Sequence, residues 1–343
     1  MLFFTICSNN YLAQAITLGY SLVQFNPECV FKIGLVDQKN SGIEYSNIPF
    51  EIIEVENIGI SAFENFFKKY NITELNTAVK PFYFQFLFEN FSDINTIVYL
   101  DPDILVFDTF KVLEEELKYY DIVITPHFTT PIIDNLKQCE EDFLNSGLYN
   151  LGFIAIKKTD NSCKMIEWWS ERLKDKAFIA LDKGMFTDQI WINFVPLFFE
   201  KVKILNHPGY NMAYWNMHER KLSVSSKKNF VNEDYPLIFF HFSGYSPLNP
   251  DILSKYQNRF IFKERADIKE IFHEYTHELI KNGFYHFINF PCIYNGIKEE
   301  YEKDILLEKI NAIPLIKRII RKIIIKLISK FNIILDYSTL NLK

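Results

Sequence analysis

Thr96-Ile97-Val98-Tyr99-Leu100-Asp101-Pro102-Asp103-Ile104-Leu105-Val106 decides how the rest of the chain is read. The run from Thr96 to Leu100 has no charge and no helical spacing of polar positions. It therefore reads as a strand buried on both faces, which suits the centre of a mostly parallel sheet covered by helices. Two carboxylates flanking a proline then stand at the strand's carboxyl end. In open α/β sheets this is the edge at which ligands bind.

The pattern on either side agrees. Residues 2–7 form a short apolar strand that ends in Ser8-Asn9-Asn10. Tyr11, Ala15, Leu18, Leu22 and Phe25 then recur at helical spacing until Pro27. Strands are predicted at Val30–Val36, Phe50–Val55, Asp121–Thr125, Leu151–Ile156, Val202–Leu205 and Leu237–Phe240. Helices are predicted at Ala62–Tyr70, Val79–Phe91, Lys164–Leu173 and Gln189–Phe198, with Pro81 where a first turn tolerates it. Strand and helix alternate to about residue 265, which predicts a Rossmann-like α/β domain over residues 1–265. From 266 to 343 the pattern is helical.

Composition narrows the function class. The chain has 343 residues, 48% of them apolar and 23% charged, so it can bury a core and is not a disordered chain. A net charge of −6 gives no basic field for nucleic acid. Five widely spaced cysteines without a CxxC pair fit neither a disulfide framework nor a cysteine zinc site. The start lacks the basic flank of a signal peptide, and no uncharged run reaches the roughly 20 residues of a membrane span. A cytoplasmic protein is expected.

Asp101 and Asp103 can hold a hard divalent cation, Mn²⁺ or Mg²⁺, that would neutralise a diphosphate leaving group. A plain strand-end turn is the alternative, since Asp bonds its own backbone in turns. Asn150 could simply start a strand, Asp188 could cap the following helix, His241 could be a satisfied strand-end histidine, and Tyr11 could be core. His273-Glu274-Tyr275-Thr276-His277 matches the H-E-x-x-H zinc-peptidase pattern on a predicted helix, with Glu299 or Glu300 as a third ligand. However, Ile268, Ile271, Phe272, Tyr275 and Leu279 form that helix's apolar stripe and leave both histidines toward solvent. The stretch 206–220, dense in aromatics and amides, reads as an acceptor-side loop or a packed surface loop.

Taken in order, several segments resemble glycosyltransferases of GT-A fold, family 8 in particular. Tyr99-Leu100-Asp101-Pro102-Asp103 with Val106 is similar to the family's YLDxDxxV signature. Phe3–Tyr11 resembles its first strand and nucleotide turn, and Tyr149–Ile156 its FNxGxxxI segment. Asp188–Asn193 resembles its DQxxLN segment, and His241-Phe242-Ser243-Gly244 its HFxG segment. The resemblance covers roughly residues 1–250. It implies a nucleotide-sugar donor, metal ligation by Asp101, Asp103 and His241, and a close approach of the Gly244 backbone to the diphosphate. It further implies stacking of Tyr11 on the base near Ser8 and Asn9. Asn150, Asp188 and Gln189 would line the sugar, with Asp188 and Gln189 facing the anomeric carbon. Where the family has a lysine three residues after its glycine, this chain has Pro247, so Lys255 or Arg259 would substitute. Lys80 is the nearest counterpart of an arginine that precedes the family's aspartate motif. An inactive sugar- or nucleotide-binding module is the non-enzymatic alternative.

Residues 313–331 carry six Lys or Arg and no acid. On a helical wheel Ile316, Ile320, Ile323, Ile324, Leu327 and Phe331 share one arc and the cations the other. That is the pattern of a helix lying on an anionic membrane, or one docked on its own domain or a second subunit. Peripheral membrane attachment would fit a lipid-linked glycan acceptor in bacterial surface-polysaccharide assembly.

Overall fold

The computed structural model describes residues 1–311 and Lys326. It divides into two compact units, Met1–Asn295 and Gly296–Lys343. The boundary read at residue 265 falls inside the first unit. Of the second unit the described part is the helix Ile297–Asn311. Apart from Lys326, the basic stretch 313–331 lies outside the described residues.

The first unit is built on a mixed seven-stranded sheet. Its strands are β1 (Leu2–Cys7), β2 (Val30–Leu35), β3 (Glu51–Glu54), β4 (Thr96–Leu100), β6 (Ile122–Pro126), β7 (Tyr149–Lys157) and Val202–Ile204. A short strand between β4 and β6, β5 (Ile104–Val106), leaves the sheet. The spatial order is Val202–Ile204, β6, β7, β4, β1, β2, β3. β1 runs parallel to both β2 and β4, and β7 runs antiparallel to both β4 and β6. β7 inserts between β4 and β6 in the reverse direction, so the centre of the sheet is less uniformly parallel than its apolar runs suggest. An unbroken apolar run reports burial on two faces, not strand direction.

The helix at Leu12–Phe25 forms as its spacing predicts, and Pro81 lies in the first turn of the helix Lys80–Asn90. The stretch predicted as one helix over Gln189–Phe198 is two short helices, Gln189–Ile192 and Val195–Phe198. Pro196 explains the break, because its ring fits only a helix's first turn. Within the 206–220 stretch, residues 209–217 are buried. Asn211, Asn216 and Trp215 are buried, and Arg220 donates to the carbonyls of Pro208 and Tyr210. A hairpin, Leu222–Ser225 with Lys228–Val231, follows it.

After Asp103 the chain turns out of the sheet into β5, which pairs antiparallel with Phe239–His241. Behind this pair lies an aromatic core in which Phe239 packs against Phe110, Phe153 and Tyr210 with centroids 5.6–5.9 Å apart. Truncating this ring removes apolar burial and leaves a cavity under the strand. Phe239→Ala is expected to lower stability by about 3–5 kcal/mol, measured by urea unfolding followed by tryptophan fluorescence.

Candidate active site

The carboxyl end of β4 places the two aspartates, and the β5 pairing places a histidine against them. Ile104 is the register partner of His241, and the Phe242 amide donates to the Asp103 carbonyl at 2.8 Å. His241 Nε2 stands 3.0 Å from Asp103 Oδ1 and 3.6 Å from Asp101 Oδ2. One ligand atom from each of Asp101, Asp103 and His241 lies within 4.8 Å of the others, close enough for one divalent ion to bridge them. Two carboxylate oxygens and an imidazole nitrogen suit Mn²⁺ or Mg²⁺ better than a thiol-seeking metal. The strand-end turn and the satisfied histidine are thus one constellation.

Its charges act on one another. Desolvation raises the Asp101 pKa above the usual carboxylate value, against the pull of Lys80 and His241. Burial alone would push His241 down, but the carboxylates of Asp103 and then Asp101 hold it above the ordinary histidine value. Tyr99 donates its hydroxyl to Asp101 Oδ1 at 2.6 Å and fixes that carboxylate from within the strand. Gly152 on β7 lies beneath the histidine. A Cβ there would come within 2.4 Å of His241 Cε1, so the ring sits where it does because residue 152 has no side chain.

Lys80 is buried next to the triangle, close enough for its charge to act on Asp101. Its ammonium is 2.6 Å from Asp188 Oδ2, donates to the Leu151 carbonyl at 3.0 Å and lies over the Tyr99 ring. Both side chains of the pair are 2% exposed, and the contact is an ion pair without hydrogen-bond alignment. Asp188 precedes the helix Gln189–Ile192 but its side chain makes no capping bond. Thr187 before it has φ +47°, an uncommon conformation for a β-branched residue, and turns Asp188 inward. Gln189 accepts from the Leu151 amide at 3.2 Å and donates to the Ser146 carbonyl at 2.7 Å, so both ends of its amide are committed. Asn150 is buried beside β6, its Nδ2 3.2 Å from His127 Nε2.

On the other flank, Ser8 and Asn9 follow β1. Ser8 donates to the Val36 carbonyl, and Asn9 meets the buried carboxylate of Asp37 through its backbone amide. Asp37 also accepts from the amides of Gln38 and Ile293. Tyr11 is 45% exposed overall, yet withdrawal of its hydroxyl from water, then the charge of Asp103, push its pKa up to about 12. Gly244 has φ +76°, and a Cβ there would come within 2.6 Å of Ser254 and Tyr256. Lys255 is exposed with its ammonium over the Tyr256 ring, and its amide donates to the Gly244 carbonyl. Arg259 is held by Asp134 and the carbonyls of Leu136 and Gln138.

The H-E-x-x-H helix is Lys269–Lys281, and His273 and His277 face solvent while Ile271, Phe272, Tyr275 and Leu279 are buried. Among the described residues neither histidine belongs to a cluster able to hold a metal. Helical spacing aligned the two rings, but on the face the core does not cover. Sequence reasoning also passed over His127, which follows β6 at the ligand-binding edge of the sheet; that strand-end position was the available signal. Asn211 lies in the stretch 206–220 and Gly152 in Tyr149–Ile156, and no local pattern shows what they touch.

Residues 3–247 match glycosyl transferase family 8. The chain belongs to that family, and it is a glycosyltransferase with the GT-A architecture of a mixed sheet between helices. Similar curated proteins are the uncharacterized proteins YfnF and YfnD of Bacillus subtilis (strain 168). YfnF is 27% identical over 253 residues, covering 70% of this chain and 80% of that protein. YfnD is 22% identical, covering 71% and 78%. Among solved structures, the galactosyltransferase LgtC in complex with donor and acceptor sugar analogs is similar at 17% identity and TM-score 0.48, over 81% of this chain and 95% of that one. The glycosyltransferase GlyE of Streptococcus pneumoniae TIGR4 is similar at 17% identity and TM-score 0.43, over 85% and 65%.

Two measurements probe this arrangement. Removing one member of a buried ion pair strands the other, so Lys80→Met is expected to lower stability by about 3–5 kcal/mol, read by chemical unfolding. A lysine contacting only the donor would leave stability unchanged. Burial lowers the His127 pKa to about 3, whereas the unfolded chain protonates near the ordinary value of about 6.5. The stabilisation is therefore complete above about 6.5 and is lost as pH falls toward the folded value. The thermal midpoint of the wild type should fall more steeply between about pH 6.5 and 4 than that of His127→Gln. Parallel curves would contradict the assignment.

Proposed function

We propose that this glycosyltransferase is metal-dependent and moves a hexose from a nucleotide-sugar donor, a UDP-sugar, to a glycan or lipid-linked glycan acceptor with retention of configuration. The observation that carries the metal reading is the Asp101, Asp103, His241 triangle at the carboxyl edge of β4. Bound there, Mn²⁺ or Mg²⁺ would neutralise charge on the departing diphosphate. Residues 1–265 would carry the donor chemistry, with 266–343 as a helical extension.

The remaining roles follow from position. Tyr11, Ser8 and Asn9 flank the triangle on the β1 side, where a base and ribose would lie. The exposed Lys255 beside Gly244 supplies a cation for the diphosphate in place of the residue that is Pro247 here. Asn150, Asp188 and Gln189 stand on the β7 side, toward the sugar. In the transfer, the acceptor hydroxyl oxygen bonds to the anomeric carbon as the bond from that carbon to the β-phosphate oxygen breaks. Attack from the face the diphosphate leaves retains configuration, and the hydroxyl proton passes to the departing phosphate oxygen. The committed amide of Gln189 supports this route over a covalent intermediate on that residue. Asp188, held by Lys80, would present a fixed negative charge toward the positive sugar of the transition state.

The wider setting is proposed on the same footing. The protein would work in the cytoplasm, in bacterial surface-polysaccharide assembly, with 313–331 touching an anionic membrane. Among the described residues no helix is long and apolar enough to cross a membrane.

With Mn²⁺ and a panel of nucleotide sugars, wild-type protein should hydrolyse or transfer at least one donor, and Asp103→Ala should lose about 10²–10³-fold in kcat. Lys255→Ala should raise donor KM about tenfold, the value of one charge-assisted contact, with kcat little changed. Turnover that survives both chelation and Asp103→Ala would sink the metal reading.

A further inference from the structure

The aspartate–histidine triangle rests on a buried chain of amides whose hydrogen-bond polarity can be read without seeing a proton. It starts at a group that can only donate, the backbone amide of Gly152, 3.0 Å from Asn150 Oδ1. That atom of Asn150 must be the oxygen, because a nitrogen there would face another donor. An oxygen only accepts, so the atom of Asn211 that lies 2.9 Å from it must be the nitrogen, Nδ2. The same nitrogen lies 2.9 Å from Thr125 Oγ1. Asn211 Oδ1 then points the other way, 3.3 Å from His241 Nδ1. It too can only accept, so Nδ1 of His241 must carry its hydrogen.

The backbone holds this chain in register. The His241 amide donates to the Met212 carbonyl at 2.8 Å, and Met212 bridges Phe240, so residue 211 is fixed beside residue 241. Asn216 Nδ2 ties the Asn211 carbonyl to that of His127. Trp215 packs edge-on against the His241 ring, with centroids 5.1 Å apart. Asn150 is 8% exposed and Asn211 is fully buried, so water is a poor substitute partner for either.

We infer that Asn211, oriented by Asn150 and the Gly152 amide, is a positioning residue that sets the tautomer of His241 and so leaves Nε2, the nitrogen facing Asp101 and Asp103, as the metal-binding atom. This rests on the metal reading of the triangle and places the amides of Asn150 and Asn211 in line behind the histidine. A histidine ligand whose other nitrogen donates to a fixed acceptor is held in one orientation and is a better base.

Mn²⁺ alone, titrated into the full chain and followed by the electron paramagnetic resonance of free Mn²⁺, tests it. Asn211→Leu should weaken Mn²⁺ binding about 10–100-fold. Asn211→Asp keeps an acceptor for His241 Nδ1 but cannot donate to Asn150 or Thr125, and it should bind within a few-fold of wild type. If both variants lose affinity equally, the residue matters only for packing and the inference fails. It also fails if Asn211→Leu binds as the wild type does. Absence of Mn²⁺ binding by the wild type would instead sink the metal reading itself. Should Asn211→Leu not fold, nitrogen-15 histidine spectra of the Mg²⁺-loaded wild type decide, with His241 assigned by its loss in His241→Gln. A protonated Nδ1 supports the inference and a protonated Nε2 overturns it.

Discussion

The short antiparallel pairing between β5 and Phe239–His241 is the constraint on which the site depends. The Asp-Pro-Asp segment ends one strand of the sheet, and His241 ends a strand that is not in the sheet. Three paired residues and the bond from the Phe242 amide to the Asp103 carbonyl bring them together. A one-residue slip of this register would turn His241 to the opposite face and separate its ring from both carboxylates. The aromatic packing behind Phe239 therefore also holds the register of the histidine against the two aspartates.

The charged and polar groups around the triangle are held rather than free. Tyr99 fixes Asp101, Lys80 fixes Asp188, and backbone groups fix both ends of Gln189. Such groups are costly to bury unless paired. Pairing fixes their dipoles in place, the property by which a preorganised site avoids reorganisation. Space is prepared in the same way. Gly152 leaves room for the imidazole, and Gly244 takes a backbone conformation that few other residues tolerate.

The two flanks of the triangle differ in character. Toward β7 nearly everything is buried: Lys80, Asn150, Asp188, Gln189 and Asn211. Toward Tyr11, Tyr256 and Lys255 the surface opens. A rigid wall beside a ligand's reactive part and an open side for its larger remainder is a common division in small-molecule sites.

The sequence by itself determined the alternation of strand and helix, the placing of Asp101 and Asp103 at a strand's ligand-binding edge, and, through five short segments in order, the family. These are local properties, because apolar period and motif order survive without knowledge of contacts. Only the tertiary structure decided that β7 runs against its neighbours, that residues 209–217 are core, and that Lys80 pairs with Asp188. The same holds for Asn211, which lies 30 residues before His241 in the chain and 3.3 Å from it in space. Helical spacing aligned His273 with His277 as well as it aligns any true ligand pair, yet the core lies on the helix's other face. Partners far apart in the chain are chosen by strand register and by the cost of leaving a buried polar group unpaired, and neither quantity is written in a local pattern.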